Sequence, residues 1–365
     1  MSETAPPVQS KQAGIGGTEN VTARYKVEID GKEVTQGSTQ GLESLTIEDH
    51  VDMIGVAEFT FSASGGGLPV DSFKAGQEIK AKVGSGPNGG GAREYAFVGI
   101  ITGIRHSYIQ SRETVTVLAM DPLCKLAASR VTKVYEEMKD SDIVEAVLGE
   151  AGLEAGNIEA TTEEHPYTLQ RNESHFSFLR RLAARNGYLL QSNDGKIDFA
   201  KAQFGGNAVT FDRGQLVSLD YSMTDRNIPT KVTAYGWDYL TKQRVEGSAS
   251  SGDIETVGAG GNAVERTGQV WQQESYLSDV LVTTQSGAKE LATSHLKQLA
   301  MGFLRGRAII QGSAAVHAGS LVKFTGPMSN FQPEGYVLSA RTRVYVGSGE
   351  TTEVVFCANT HPDGG

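Results

Sequence analysis

From Tyr25 onward, apolar and polar residues alternate with a period of two. RYKVEIDGKEV, LESLTIEDH, GVAEFTFSA, the Gln77 to Val83 stretch QEIKAKV, the Arg93 to Ile101 stretch REYAFVGII and ETVTVLAMD all show it, up to Asp121. This is the pattern of half-buried strands, and Asp30-Gly31 between the first two marks a hairpin turn. The stretch is expected to form a compact antiparallel barrel or sandwich. The period then lengthens. Ser141 precedes DIVEAVLGEAG, where Ile143, Val144, Val147 and Leu148 form a helical stripe and Gly152 suits the C-terminal cap. A second helix is expected in RNESHFSFLRRLAARNGYLL. Ser174 is its N-cap, Phe176, Leu179 and Ala183 share a face with Phe178 and Leu182 beside it, and Gly187 stops it. Arg180, Arg181 and Arg185 fall largely outside that face. YLLQSNDGKIDFAK, with a turn at Asp194-Gly195, returns to strands, so a small α/β unit interrupts a β-rich chain.

Further on, QLVSLDYSM and TKVTAYGWDY alternate as strands, and the Ser/Gly-rich stretch from Gly247 to Gly261 is expected to be a surface excursion. A third helix is expected from Ser286 to Met301, using Leu291, Leu296, Leu299 and Ala300, and strands resume from Arg307 to Ala358. This last segment repeats an earlier one. Ala75-Gly76-Gln77-Glu78-Ile79-Lys80 corresponds to Ala318-Gly319-Ser320-Leu321-Val322-Lys323, and Phe97-Val98 to Tyr336-Val337. Each copy then has a long strand with an Arg and a Tyr (Arg105 and Tyr108; Arg343 and Tyr345), and Glu113-Thr114 matches Glu350-Thr351. A duplication of one strand-loop-strand unit is the reading.

Composition narrows the class. The 365 residues, 39% hydrophobic with 44 Gly, suit two or three β-rich domains. A formal charge of -10 argues against a sequence-independent nucleic-acid binder, which needs a basic footprint. Residues 1 to 20 are polar, with no apolar signal-peptide core, and read as a flexible tail; no later segment has the apolar length of a membrane span. Cys124 and Cys357 are too few for a disulfide framework and read as buried thiols.

Candidate chemistry is sparse. Gly84, Gly86 and Gly89 have the G-x-G-x-x-G spacing of a dinucleotide site, but the Arg93 to Ile101 stretch beyond them reads as a strand rather than a helix and Pro87 favours a turn, so a hairpin tip is expected and no cofactor. Seven histidines, at 50, 106, 165, 175, 295, 317 and 361, form no metal-ligand pair, and no G-x-S-x-G elbow occurs. Ser141 and Ser174 are expected as helix caps rather than nucleophiles. Trp237 and Trp271, with Tyr235 and Tyr239, would suit a sugar platform, but core or interface is the plainer reading. No catalytic, cofactor or metal residue is assigned.

The α/β stretch resembles the late control D proteins of contractile phage tails and the hub halves of type VI valine-glycine repeat spikes. The likeness rests on Asn172, Glu173 and Ser174, then Phe178, Leu179, Arg181 and Leu182, then Gly187 and Tyr188; weaker likeness covers roughly residues 21 to 360. It departs in the final hairpin, where the spikes commonly place a His and Arg343 stands here, and the chain stops at Gly365 without a fused spike. The resemblance implies a β-rich α+β fold with two tail-tube-like β-barrels and a small inserted α/β domain. The expected division is a tail (1–20), a first barrel (21–125), the α/β domain (126–205), and a second barrel (206–245 with 305–365) interrupted by an insertion (246–304). It also implies a structural baseplate hub, a homotrimer joining a hexameric tail tube to a separate trimeric spike among other baseplate components. The implied hub binds neither nucleic acid nor membrane directly. It is made in the cytoplasm and carried in a phage virion or injection particle. A glycan-active or cell-wall-degrading hub component is the alternative.

Overall fold

The structure, a computed structural model, describes residues 24–34, 41–62, 72–84, 95–258, 260–278, 282–312, 316–326 and 332–361. The chain opens with strands β1 (Arg24–Ile29), β2 (Lys32–Glu33), β3 (Leu42–His50), β4 (Val56–Ser62), β5 (Glu78–Gly84), β6 (Phe97–Ile109) and β7 (Arg112–Met120). The period-two pattern places every second residue inside: Leu45 and Ile47 on β3, and Ala57, Phe59 and Phe61 on β4, pack in one core with Ile79, Ile101 and Val117.

The α/β unit comes next as α1 (Cys124–Ala127), β8 (Arg130–Lys139), α2 (Asp140–Glu150), β9 (Ala155–Ile158), β10 (Glu164–Ser174), α3 (His175–Asn186), β11 (Tyr188–Asn193) and β12 (Lys196–Lys201). Its own core joins Val144 and Val147 of α2 to Phe178, Leu179 and Leu182 of α3 and to Phe199 of β12. It is tied to the first unit where Asp52 accepts from Leu190 N–H at 2.9 Å and Asp194 from Tyr95 N–H at 2.9 Å.

The remaining elements are β13 (Val209–Phe211), β14 (Leu216–Met223), β15 (Lys231–Asp238), β16 (Gln243–Ser250), β17 (Gly261–Asn262), α4 (Ala263–Val270), β18 (Glu274–Leu277) and α5 (Gln285–Ala300). Last come β19 (Leu304–Gln311), β20 (Leu321–Phe324), β21 (Glu334–Tyr345), β22 (Gly349–Ala358) and β23 (Thr360–His361).

One 13-stranded sheet links both ends of the chain in the order β14-β19-β22-β21-β3-β4-β7-β6-β5-β1-β2, with β20 on β21 and β13 on β20. Among the described residues this order forms one continuous, largely antiparallel sheet and does not close on itself, so the β-rich fold is as expected while the two β-barrels are not seen as closed units.

The duplication is carried by register. Ile101 faces Ala119 across β6 and β7, the pairing slips between Ile101 and Gly103, and Tyr108 then faces Glu113. Val337 faces Phe356 across β21 and β22, the pairing slips between Val337 and Ser339, and Val344 faces Glu350. The other ladders agree. On β3, Leu42 faces Phe61 before a slip and Leu45 faces Phe59; on β14, Leu216 faces Ile310 before a slip and Leu219 faces Ala308. Phe61 faces Val115 as Ile310 faces Thr352, and Glu78 faces Ile100 as Leu321 faces Tyr336. Thus β3, β4, β5, β6 and β7 correspond to β14, β19, β20, β21 and β22. Gly99 and Gly335 fall at one position, where a Cβ would come within 2.5 Å of the Met120 carbonyl oxygen and 3.2 Å of the corresponding Cys357 oxygen.

Several expectations change. Val337 corresponds to Ile101, not Val98, and Arg105 to Arg341 rather than Arg343, because the loops before the two strands differ in length. Ser141 is not a cap: α2 begins at Asp140 after Lys139, with no side-chain cap, and Ser141 Oγ instead accepts from Thr161 N–H at 3.3 Å. TKVTAYGWDY does not join the large sheet; β15 pairs with β16 and β18 in a separate one. The sheet is therefore interrupted from 224 to 303, starting earlier than 246, whereas only residues 51–55 separate the corresponding β3 and β4. The expected excursion at Gly247 to Gly261 contains the end of β16 and the start of β17, and α4 comes directly after it.

Candidate functional site

The residues that carry the family likeness form one continuous device in the α/β unit. β10 ends in a bulge, where its pairing with β8 shifts between Gln170 and Glu173 and Asn172 adopts a left-handed φ of 47°. Asn tolerates that conformation better than most residues. β8 fixes it: Asn172 N–H donates to Thr132 Oγ1 at 3.1 Å, and Arg130 donates to the Asn172 carbonyl at 2.9 Å. The bulge delivers Ser174 to the start of α3, where its Oγ accepts from Ser177 N–H at 3.1 Å. Arg181 reaches back from α3, donating to Glu173 at 2.6 Å and to the Leu169 carbonyl at 2.9 Å, with its guanidinium 5.2 Å over the Phe178 ring.

The inner face of α3 buries Phe178, Leu179 and Leu182 completely. Gly187 ends the helix at φ 67°, with Ser294 Oγ 3.1 Å from where a Cβ would stand. Tyr188 then turns into the core and donates to the Ala160 carbonyl at 3.1 Å; burial, then nearby Glu159, pushes its phenol up to about 12. Every member of the motif thus shapes or locks the β10–α3–β11 path.

A buried polar cluster nearby was not legible in sequence. Asp140, fully buried at the start of α2, accepts from Arg185 near the end of α3 and from Asn186 Nδ2 at 2.6 Å, with His165 Nε2 3.8 Å away. Carboxylate at a helix N-terminus and guanidinium at a C-terminus both complement the helix dipoles, so the pair clamps α2 to α3. Arg185 falls outside the apolar face of α3, as expected, and its charge is turned inward because Asp140 lies there.

The other candidates do not converge. Gly84 closes β5 and the next element is strand β6, while Gly86, Pro87 and Gly89 lie outside the described residues. Trp237 and Trp271 are half exposed rather than core. Trp271 lies just before Gln273, which bonds Thr230 at the start of β15, and Trp237 is near the far end, roughly 20 Å along at ~3.3 Å per residue. They do not make one platform. Tyr235 stacks on Tyr276 at 6.1 Å with Arg244 over it at 4.0 Å. Among the described residues no three His, Cys, Asp or Glu side chains group to hold a metal ion. Cys357 is buried, which pushes its thiol up to about 12, whereas Cys124, expected as buried, is half-buried, and burial raises its thiol above the usual value. No helix among the described residues is long and apolar enough to cross a membrane.

Among the described residues, the open strand edges include two in the large sheet. β5 covers β6 only as far as Ile100, so among the described residues the stretch from Gly103 to Ile109 pairs with β7 alone, and β14 pairs with β19 alone. Tyr108 and Ile109 on the first edge are 73% and 66% exposed, and Val217 and Met223 on the second 62% and 44%. These are large apolar side chains on unprotected edges, a mark of an interface.

The fold is similar to that of solved tail proteins. The chain is similar in fold to a 43 kDa tail protein of prophage MuSo2 from Shewanella oneidensis, at 15% identity and TM-score 0.67 over 92% of this chain and 98% of that one. It is likewise similar to a tail protein from Neisseria meningitidis, at 13% identity and TM-score 0.64 over 94% and 99%. A component of the Escherichia coli type VI secretion system, described as similar to phage T4 tail proteins gp27 and gp5, matches at 15% identity and TM-score 0.60 over 93% of this chain and 77% of that one. No curated protein sequence matches the chain. A family model described as the Alg8 N-terminal domain matches residues 19–345, and the chain belongs to that family.

Proposed function

We propose that the chain is a structural baseplate hub of a contractile tail or injection particle, a homotrimeric adaptor between a hexameric tail tube and a trimeric spike. The observation that carries the reading is the repeat of five strands with matching registers and matching bulges. Three chains, each presenting two equivalent units, offer six similar surfaces to a sixfold partner and three to a threefold one. The tail-protein fold supports the reading, as does a motif whose residues all serve to hold the chain in place. The division into two β units, an α/β unit at about 126–205 and an insertion belongs to the same proposal. So do assembly in the cytoplasm before incorporation into a virion or injection particle, and the absence of catalysis. The glycan-active alternative is weakened because two members of its Trp/Tyr cluster, Trp237 and Trp271, are separated along β15. Stoichiometry tests the proposal. Native mass spectrometry of the purified particle, or averaged images of its baseplate centre, should give three copies between tube and spike. Six copies, or a position out in the wedges or sheath, would overturn it.

A further inference from the structure

We infer that the cleft between the β11–β12 hairpin and the turn before β20 is a binding site for a single pyranose sugar unit. The inference does not depend on the hub reading. Alternation along β11 puts Tyr188 and Leu190 in the core of the α/β unit and Leu189, Gln191 and Asn193 on the opposite face. That face meets the second β unit at His317, Gly319 and Tyr336, and the two surfaces leave a cavity of about 140 Å³ between them. Buried in its wall, Gln191 Nε2 and Asn193 Oδ1 have no hydrogen-bond partner. Buried polar groups are rarely left unpaired, because their desolvation is then uncompensated, so two in one small cavity mark a place for a polar ligand. The turn holds one of them in place. Gly319, at φ 89°, has no side chain, and a Cβ there would stand 3.3 Å from Gln191 Oε1.

Charge, size and lining select the ligand. The cleft has one carboxylate and one ammonium, and both are engaged: Asp198 accepts from Asn157 N–H at 2.7 Å and from Asn193 Nδ2 at 3.3 Å, and Lys201 Nζ lies 3.3 Å from Glu159. An anion would meet Asp198 and a cation Lys201, so a neutral ligand fits best. The volume is close to the ~150 Å³ that accommodates one six-membered ring, and too small for a peptide segment. The lining is mixed. Leu189, Ala200 and Ala202 supply apolar surface beside the amides of Gln191, Asn193 and Gln203. A hydroxylated ring answers both, laying its C–H surface on the apolar residues and offering hydroxyls to the amides. Because a hydroxyl donates and accepts, it pairs with either end of an amide. Gln191 and Asn193 are two residues apart on one face, ~6.6 Å at ~3.3 Å per residue, so hydroxyls on two sides of one ring reach both. An apolar ring of the same size would leave both groups unpaired.

Saturation-transfer NMR on the full-length chain tests the site, with glucose, galactose, mannose and N-acetylglucosamine as probes. Cyclohexanol, a ring of like size with one hydroxyl, is the control. At least one sugar should bind saturably in the millimolar range, as expected when a single small ring is buried, and cyclohexanol should not. Gln191→Met and Asn193→Leu keep side-chain bulk but remove the unpaired groups, and each should weaken that sugar about tenfold or more. Gln203→Ala alters an exposed residue of the cleft, so it should fold as the wild type does and weaken the sugar several-fold. Melts of the three variants verify folding. A cleft that holds only water gives no transfer to any of the four sugars, and that result would overturn the inference. So would transfer that all three variants leave unchanged, or cyclohexanol binding as well as the sugar does.

Discussion

Replacing Leu179 with Ala measures what the motif helix contributes. Leu179 is wholly buried in the core that joins α2, α3 and β12. The substitution removes three carbons, worth ~2.4 kcal/mol at ~0.8 kcal/mol each. A cavity term adds ~1 kcal/mol or more, because α3 is pinned at Ser174, Arg181 and Gly187 and is poorly able to collapse into the space. Alanine favours the helix slightly more than leucine, so propensity does not add to the loss. The expected cost is ~3–4 kcal/mol. Arg180, next in sequence but exposed, has its guanidinium 5.7 Å over the Phe176 ring and favours the charged form of Asp52, and Arg180→Ala should cost ~1 kcal/mol, well below Leu179→Ala. With three cores, unfolding need not be a single transition, so the local measurement is amide hydrogen exchange in α3 and β8, backed by denaturant melts. Exchange protection in α3 should fall by about two to three powers of ten for Leu179→Ala, at ~1.4 kcal/mol per factor of ten, and little for Arg180→Ala. Equal losses in the two variants would refute the assigned helix face.

Two further predictions concern the buried clamp. Arg185→Ala leaves the Asp140 carboxylate buried without its cation and should destabilise by ~3–5 kcal/mol, more than Asp140→Ala, since the Arg185 side chain is 28% exposed and can turn to water; denaturant melts of the two variants compare them. His165 is held below the usual histidine value by burial and then by Arg185, and His295 by burial. Unfolding thus takes up protons as pH falls below 6.5, and stability, complete above that value, should drain through the lower folded values. A melting temperature that stays flat between pH 7 and 5 would contradict this.

Local patterns were legible because local physics decides them. Alternation in LESLTIEDH and GVAEFTFSA, the Asp30-Gly31 and Asp194-Gly195 turns, and the Ser174 to Gly187 helix with its left-handed stop all depend on residues within a few positions of one another. Failures came where distant groups compete. Ser141 has the residue type of a cap, but Thr161, twenty positions on, claims its hydroxyl and α2 starts earlier. The helical pattern of α4 is short and comes after a glycine run, and its one local mark is the Asn262 cap, which accepts from Val264 N–H. The repeat was visible in AGQEIK and AGSLVK, yet its alignment failed at Phe97-Val98 because apolar pairs recur along any buried strand. Only the shared bulges, at Thr102 and Leu338, fix which residues correspond.

The placement of the additions bears on how one chain can serve partners of different symmetry. The α/β unit leaves the sheet after β7 at Met120, and the 224–303 insertion leaves it after β14 at Met223, the position equivalent to the short β3–β4 turn. Both departures lie at one end of the strands, since Met120 faces Val56 at the start of β4 and Met223 faces Leu304 at the start of β19. There the additions bind each other, with Ser294 donating to the Ala184 carbonyl at 3.2 Å and Thr284 to Glu163 at 2.8 Å. The opposite end carries, among its connections, the turn after Ile109 and the turn after Tyr345, which differ by a single residue. One end of the repeated sheet therefore carries a like turn in both units, and the other is distinct in each. A sixfold partner needs six like surfaces and is matched by the plain end; a threefold partner tolerates two unlike surfaces per chain and is matched by the decorated one. On the adaptor reading, the tube accordingly meets the hairpin tips at 110–111 and 346–348, and the spike side meets the α/β unit and the insertion.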